Sequence, residues 1–189
     1  MSEIEIQNVS FAYPGKEATL KNVTLRVKRG ECVLLCGESG CGKTTVTRLI
    51  NGLIPHFVPD CRLEGSVTVC GQDAARAEIY QLAKAVGSVF QNPKSQFFNL
   101  DTDSELAFGL ESLGEAPERI RKRLEAATQA LQIARLLHRG IFSLSGGEKQ
   151  ALAVASVYVT DPEVYALDEP SANLDEASIE VLRRNLLRL

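Results

Sequence analysis

Apolar and polar residues alternate with a period of two near the start of the chain. Ile4, Ile6, Val9 and Phe11 make one such set, and Val23, Leu25 and Val27 make another; each predicts a strand with one buried face. Lys28-Arg29-Gly30-Glu31 reads as a turn into Cys32-Val33-Leu34-Leu35-Cys36. That apolar run is too short for a helix and predicts a buried central strand. A glycine-rich loop follows, then a helix over residues 44–53. Pro55, Pro59 and Gly65 mark a loop before a further alternating strand over 66–70. A short helix over 77–84 leads into a strand over 86–90.

From Asn92 to about Leu144 the pattern becomes helical, opening on an extended loop rich in acidic and aromatic residues. Pro117 suits the first turn of a helix, on which Ile120, Leu124, Ala127 and Leu131 share one face. Arg119, Arg121, Lys122 and Arg123 lie mostly off that face, as a solvated surface. A helix begins near Ser145, a buried strand covers 164–167, and Asp175 caps a last helix with Ile179, Leu182, Leu186 and Leu189 on one face. There is no internal repeat.

Composition narrows the class. With 189 residues, 44% apolar and 24% charged, the chain is globular and of single-domain size. A net charge of −3 gives no reason to expect a nucleic-acid partner. No segment reaches the ~18 apolar residues that cross a bilayer, and the acidic start is unlike a signal peptide. A cytoplasmic chain is expected, meeting a membrane only through a partner. Five cysteines without a CxxC pair predict reduced, mostly packed thiols rather than a metal site. His56 and His138 read as loop residues.

Three segments carry chemistry. Gly37-Glu38-Ser39-Gly40-Cys41-Gly42-Lys43-Thr44, followed by Thr45, fits G-x-x-x-x-G-K-[ST] between a predicted strand and a helix. Its backbone N–H groups and helix start suit phosphate oxygens; Lys43 would reach the β- and γ-phosphates of ATP, and the Thr44 hydroxyl would hold Mg²⁺. Val164-Tyr165-Ala166-Leu167-Asp168-Glu169-Pro170 brings a carboxylate, Asp168, to a strand end for the metal, with Glu169 placed to orient or deprotonate a water. Leu144-Ser145-Gly146-Gly147-Glu148-Lys149-Gln150 offers backbone N–H groups at a second helix start. One nucleotide does not need both helix starts, so this turn reads as facing ATP held by another chain.

These motifs, in this order, resemble the nucleotide-binding domain of ATP-binding cassette (ABC) proteins over nearly the whole chain. The resemblance implies an α/β fold: a P-loop NTPase (RecA-like) core with an N-terminal antiparallel β subdomain and an inserted α-helical subdomain. The expected division is residues 1–91, 92–150 and 151–189. It implies a head-to-tail dimer in which Ser145 and Gly147, with Gly146 between them, close on the partner's nucleotide. It assigns Tyr13 of Phe11-Ala12-Tyr13-Pro14 to adenine, Gln91 to Mg²⁺ or the attacking water, and Asp175 to the dimer interface.

Gln91-Asn92-Pro93-Lys94-Ser95-Gln96-Phe97-Phe98, with Glu105-Leu106-Ala107-Phe108-Gly109-Leu110-Glu111 and Ser171-Ala172-Asn173-Leu174-Asp175, is similar to the ATPases of energy-coupling factor importers of vitamins or transition-metal ions. That likeness implies a transmembrane coupling subunit, docked near Gln91, and a substrate-binding membrane subunit. Phe97, Phe98 and Phe108 are candidates either for that contact or for core packing. A soluble ABC ATPase of the DNA-repair or translation kind, a nucleotide-binding interaction module with little hydrolysis, and a kinase are the competing classes.

Two departures from the family stand out. Ala151 takes the place of the usual Arg after the signature Gln. After Asp168 no further strand ending in a γ-phosphate-contacting His follows, so the chain reads as truncated and is expected to turn ATP over slowly by itself.

Overall fold

The computed structural model describes residues 2–172 and 174–189, which leaves Met1 and Asn173 outside the described residues. It divides into two compact units, Met1–Gly87 and Ser88–Leu189.

The first unit is built on an antiparallel sheet. Strand β1 (Ser2–Ala12) lies between β2 (Ala18–Lys28) and β3 (Arg62–Val69), and a short β4 (Gln72–Asp73) extends the β3 edge. Ile6 stands opposite Leu25 on one side and Val67 on the other. The alternation in the sequence is the burial pattern of β1: Ile4, Ile6, Val9 and Phe11 are all buried, as are Val67 and Val69. Helix α1 (Lys43–Ile50) packs against β3 and buries Thr45, Val46, Leu49 and Ile50. Two shorter helices, α2 (Leu53–His56) and α3 (Ile79–Ala85), complete the unit.

One expectation fails here. The run at 32–36 forms no strand, and Val33, Leu34 and Leu35 are 44%, 83% and 36% exposed. An apolar run becomes a buried strand only when neighbours offer ladder partners on both sides. Among the described residues, neither sheet includes this run. The thiols follow suit: Cys32, Cys36 and Cys41 are exposed and Cys61 and Cys70 half-buried, not mostly packed.

Strand β5 (Val86–Val89), across which the division between units falls, pairs with β6 (Val164–Leu167). The rest of the second unit is helical: α4 (Thr102–Ser112), α5 (Pro117–Leu131), α6 (Gly146–Tyr158) and α7 (Glu176–Leu186). Helix α6 is its axis, buried from Lys149 through Ala155. Leu106, Leu131, Leu136 and Leu152 share one cluster with it; each such side chain contributes roughly 1.5–3 kcal/mol by leaving water. Ala151 belongs to this cluster, so a small residue fits that position.

On α5, Ile120, Ala127 and Leu131 are buried and Leu124 half-buried, the face that the spacing predicts. Asp175 caps α7 by accepting from the Ser178 N–H at 2.8 Å. The apolar face of α7 is narrower than expected. Leu182 is buried, but Ile179 and Leu189 are open to solvent. No helix among the described residues is long and apolar enough to cross a membrane.

Candidate functional site

In the first unit the glycine-rich loop runs from Gly37 into α1. Gly42 is the N-cap of α1 at φ 103°, and a Cβ there would stand 2.6 Å from Leu20. Only glycine meets both demands. No side chain caps α1, and the positive end of its dipole faces the loop. The Lys43 ammonium lies across the loop, donating to the carbonyls of Gly37 at 3.0 Å and Glu38 at 2.9 Å. Glu38, Ser39, Gly40 and Cys41 are exposed, Thr44 is half-buried and Thr45 buried. The Thr45 hydroxyl is 3.3 Å from the Tyr13 hydroxyl, and the Tyr13 ring stands edge-on to Phe11 at 4.7 Å. Tyr13 is thereby tied to the start of α1, with its ring half-buried.

In the second unit the paired strands β5 and β6 deliver the carboxylates. The Asp168 N–H, one residue past β6, donates to the Val89 carbonyl at 2.9 Å. Glu169 follows at φ 46°, a left-handed conformation that a side-chain-bearing residue seldom adopts. From this turn its carboxylate meets Gln91, whose Nε2 donates to Glu169 Oε2 at 2.8 Å. Two candidate residues far apart in sequence thus meet at one exposed point.

The Ser-Gly-Gly turn is a capping box. Ser145 Oγ accepts from the Glu148 N–H at 3.2 Å, and Glu148 Oε2 accepts from the Ser145 N–H at 2.8 Å. Gly146 and Gly147 are the first residues of α6, whose N–H groups have no acceptor within the helix. A Cβ on Gly147 would come within 2.0 Å of Ser178 Oγ, while a Cβ on Gly146 would meet open space.

The loop after Gln91 is held from below. Asn92 caps a short turn by accepting from the Lys94 N–H, and Glu105, only 3% exposed, accepts from the Phe98 and Asn99 N–H groups at 3.0 and 2.9 Å. Phe97 packs into the core. Phe98 does not: it is 76% exposed and stacks on Phe108 at 5.0 Å. Beside Gln91 lies a cleft of about 360 Å³ lined by Asn92, Lys94, Gly146, Lys149 and Gln150. Lys149 is buried and donates to the Leu144 carbonyl. Gln150 is buried too, and its Nε2 has no hydrogen-bond partner among the described residues.

Sequence reasoning missed three residues at this site. Arg139 Nη1 pairs with Glu148 Oε1 at 2.8 Å, Ser178 sets the space at Gly147, and Glu105 organises the loop after Gln91. Arg139 and Ser178 belong to no recognisable motif, Glu105 opens the 105–111 segment with no role assigned to it there, and each acts through a tertiary contact that no spacing encodes.

The folded arrangement is that of a nucleotide-binding ATPase domain, and residues 20–172 match the family described as ABC transporter. The chain belongs to that family. An ABC transporter ATP-binding protein of Treponema denticola is 54% identical over 95% of this chain and 37% of its own length. Another, from Pyrococcus abyssi, is 43% identical over 93% of this chain and 62% of its own length. Among solved structures, cbiO1 of Clostridium perfringens, part of the ABC transporter complex cbiONQ, superposes with a TM-score of 0.85 at 28% identity, over 98% of this chain and 72% of that one. The chain spans little more than a third of the Treponema relative.

Proposed function

We propose that the chain is the ATP-binding and hydrolysing cassette of a membrane transporter, of the energy-coupling importer kind. The observation that carries the catalytic part is the Gln91–Glu169 pair. A carboxylate held at a strand end by an amide partner can accept a proton from water, while the amide fixes the water's position. Lys43 binds phosphate oxygens: its ammonium rests on two backbone carbonyls that an anion would replace. The start of α1 adds the positive end of its dipole, and Tyr13, in the same unit, is the adenine contact.

Thr44 in the first unit offers a hydroxyl, and Asp168 and Gln91 in the second offer carboxylate and amide oxygens, each a hard donor of the kind Mg²⁺ takes. When bound, the ion would neutralise charge on the transferring phosphoryl group.

The partners follow from exposed features of the second unit. The Ser145-Gly146-Gly147 turn is the surface offered to nucleotide held by a second cassette. The stacked Phe98–Phe108 pair and the cleft beside Gln91 suit an apolar helix of a transmembrane coupling subunit, with a substrate-binding membrane subunit beyond it. On this reading the chain works on the cytoplasmic side of a membrane. The likeness to cbiO1 supports the importer class.

The test is Mg·ATP binding and turnover by the purified protein beside Lys43→Ala, Gln91→Ala and Glu169→Gln. Loss of binding in the first and loss of turnover with retained binding in the third support the reading. Turnover unchanged in Glu169→Gln overturns it.

A further inference from the structure

Helix α6 opens with a conflict of charge. Its first N–H groups, on Gly146 and Gly147, attract anions, but Glu148 stands at the third helical position with an ionised carboxylate. That carboxylate steadies the turn by accepting from the Ser145 N–H, yet it repels any phosphate brought to the same place. The structure resolves the conflict with one side chain. Arg139 Nη1 donates to Glu148 Oε1 at 2.8 Å, so one Glu148 oxygen serves the cap and the other the guanidinium. Arg139 Nη2 also reaches the Ser143 carbonyl, at 3.4 Å.

The guanidinium is mounted firmly. The Arg139 carbonyl accepts from the Thr102 N–H at 3.0 Å, and the Arg139 N–H donates to Thr102 Oγ1 at 3.3 Å. Thr102 is fully buried at the start of α4, where Asp101 caps the helix through the Ser104 N–H. One residue earlier, the His138 N–H donates to Asp103 at 2.6 Å. Three hydrogen bonds of residues 138 and 139 therefore fix where the Arg139 side chain begins, and the side chains of its ion pair are 35% and 21% exposed.

We propose that Arg139 is a positioning residue of the nucleotide contact, cancelling the Glu148 charge so that the Gly146 and Gly147 N–H groups keep their pull on phosphate. The inference rests on the reading of this turn as a phosphate contact. It predicts that charge at position 139 matters only while position 148 is a carboxylate. A brace of purely structural importance would behave differently, since removing either partner would break it.

The test is steady-state ATP turnover by the full-length protein as wild type, Arg139→Met, Arg139→Lys and the double variant Arg139→Met/Glu148→Gln. Gln at the third helical position keeps the capping box, so the double variant retains the fold of the turn. ATP titration of each variant under non-hydrolysing conditions reads the Lys43 site separately. Arg139→Met is expected to lower kcat/KM about tenfold while ATP affinity at the Lys43 site changes by less than about twofold. Arg139→Lys recovers most of the loss, and the double variant returns to within about threefold of wild type. A double variant as impaired as Arg139→Met, or an Arg139→Met enzyme at wild-type rate, overturns the proposal while leaving the functional reading intact. A wild type that binds ATP but never hydrolyses it overturns the functional reading, and the proposal falls with it.

Discussion

Gln91 Nε2 and Glu169 Oε2 stand 2.8 Å apart, joined by a hydrogen bond between segments that paired strands bring together. Glu169 reaches this partner from a backbone conformation at φ 46°. Such strain persists only where the surroundings over-determine it.

Glu169→Gln removes the basic oxygen but preserves the shape of the side chain. Turnover should fall by roughly two to four orders of magnitude, the usual worth of a general base, with ATP binding kept. Gln91→Ala leaves the carboxylate in place and should cost less. Phosphate release measured with single-turnover kinetics compares the two, and a larger loss for Gln91→Ala would reverse the assigned roles.

Lys43→Ala deletes a charged donor that spans the phosphate loop. Hydrogen bonds to charged groups are worth about 1.5–3 kcal/mol, so ATP affinity should drop roughly 10- to 100-fold. Titration with a fluorescent ATP analogue measures this directly, and equal affinity would exclude the loop as the binding site.

Gly147→Ala forces a methyl against Ser178. Overpacking of this kind costs about 1–3 kcal/mol, and a chain of this size loses roughly 2–4 °C in Tm for each. Gly146→Ala, one residue earlier, adds its methyl to open space and favours the helix, so its Tm should hold or rise slightly. Thermal melts of the two variants side by side give the contrast.

Glu148 is held below the ordinary glutamate value of 4.5, first by the Ser145 N–H and then by Arg139. A depressed folded-state pKa contributes stability above the unfolded value, and the contribution is lost as pH falls through the folded value. The wild type should therefore lose stability as pH drops below about 4.5, and Arg139→Met should show a shallower loss over that window. Urea midpoints measured from pH 6 to pH 3 test the slope.

Much of this was legible in the sequence because it rests on local chemistry. The alternation of Ile4, Ile6, Val9 and Phe11 is the buried face of β1, and Pro117 and Asp175 mark the helix starts they predict. Gly37 to Thr44 reads as a phosphate loop because each residue type answers a backbone or ligand demand. The run at 32–36 misled for the opposite reason. Its composition states a wish to be buried, and burial depends on neighbours that composition cannot name. The roles of Arg139, Ser178 and Glu105 escaped notice because they exist only once distant segments meet.

Leu34 and its neighbours lie directly ahead of Gly37 and, among the described residues, belong to neither sheet, so the glycine-rich loop has no strand at its root. A loop without that support leans on its ligand for order, and the ordering is subtracted from the affinity. Whatever gives the backbone of 32–36 a ladder partner would stiffen the root beforehand and return the difference to ATP. ATP affinity is therefore expected to serve as a gauge, readable from outside, of whether that apolar run has found its strand.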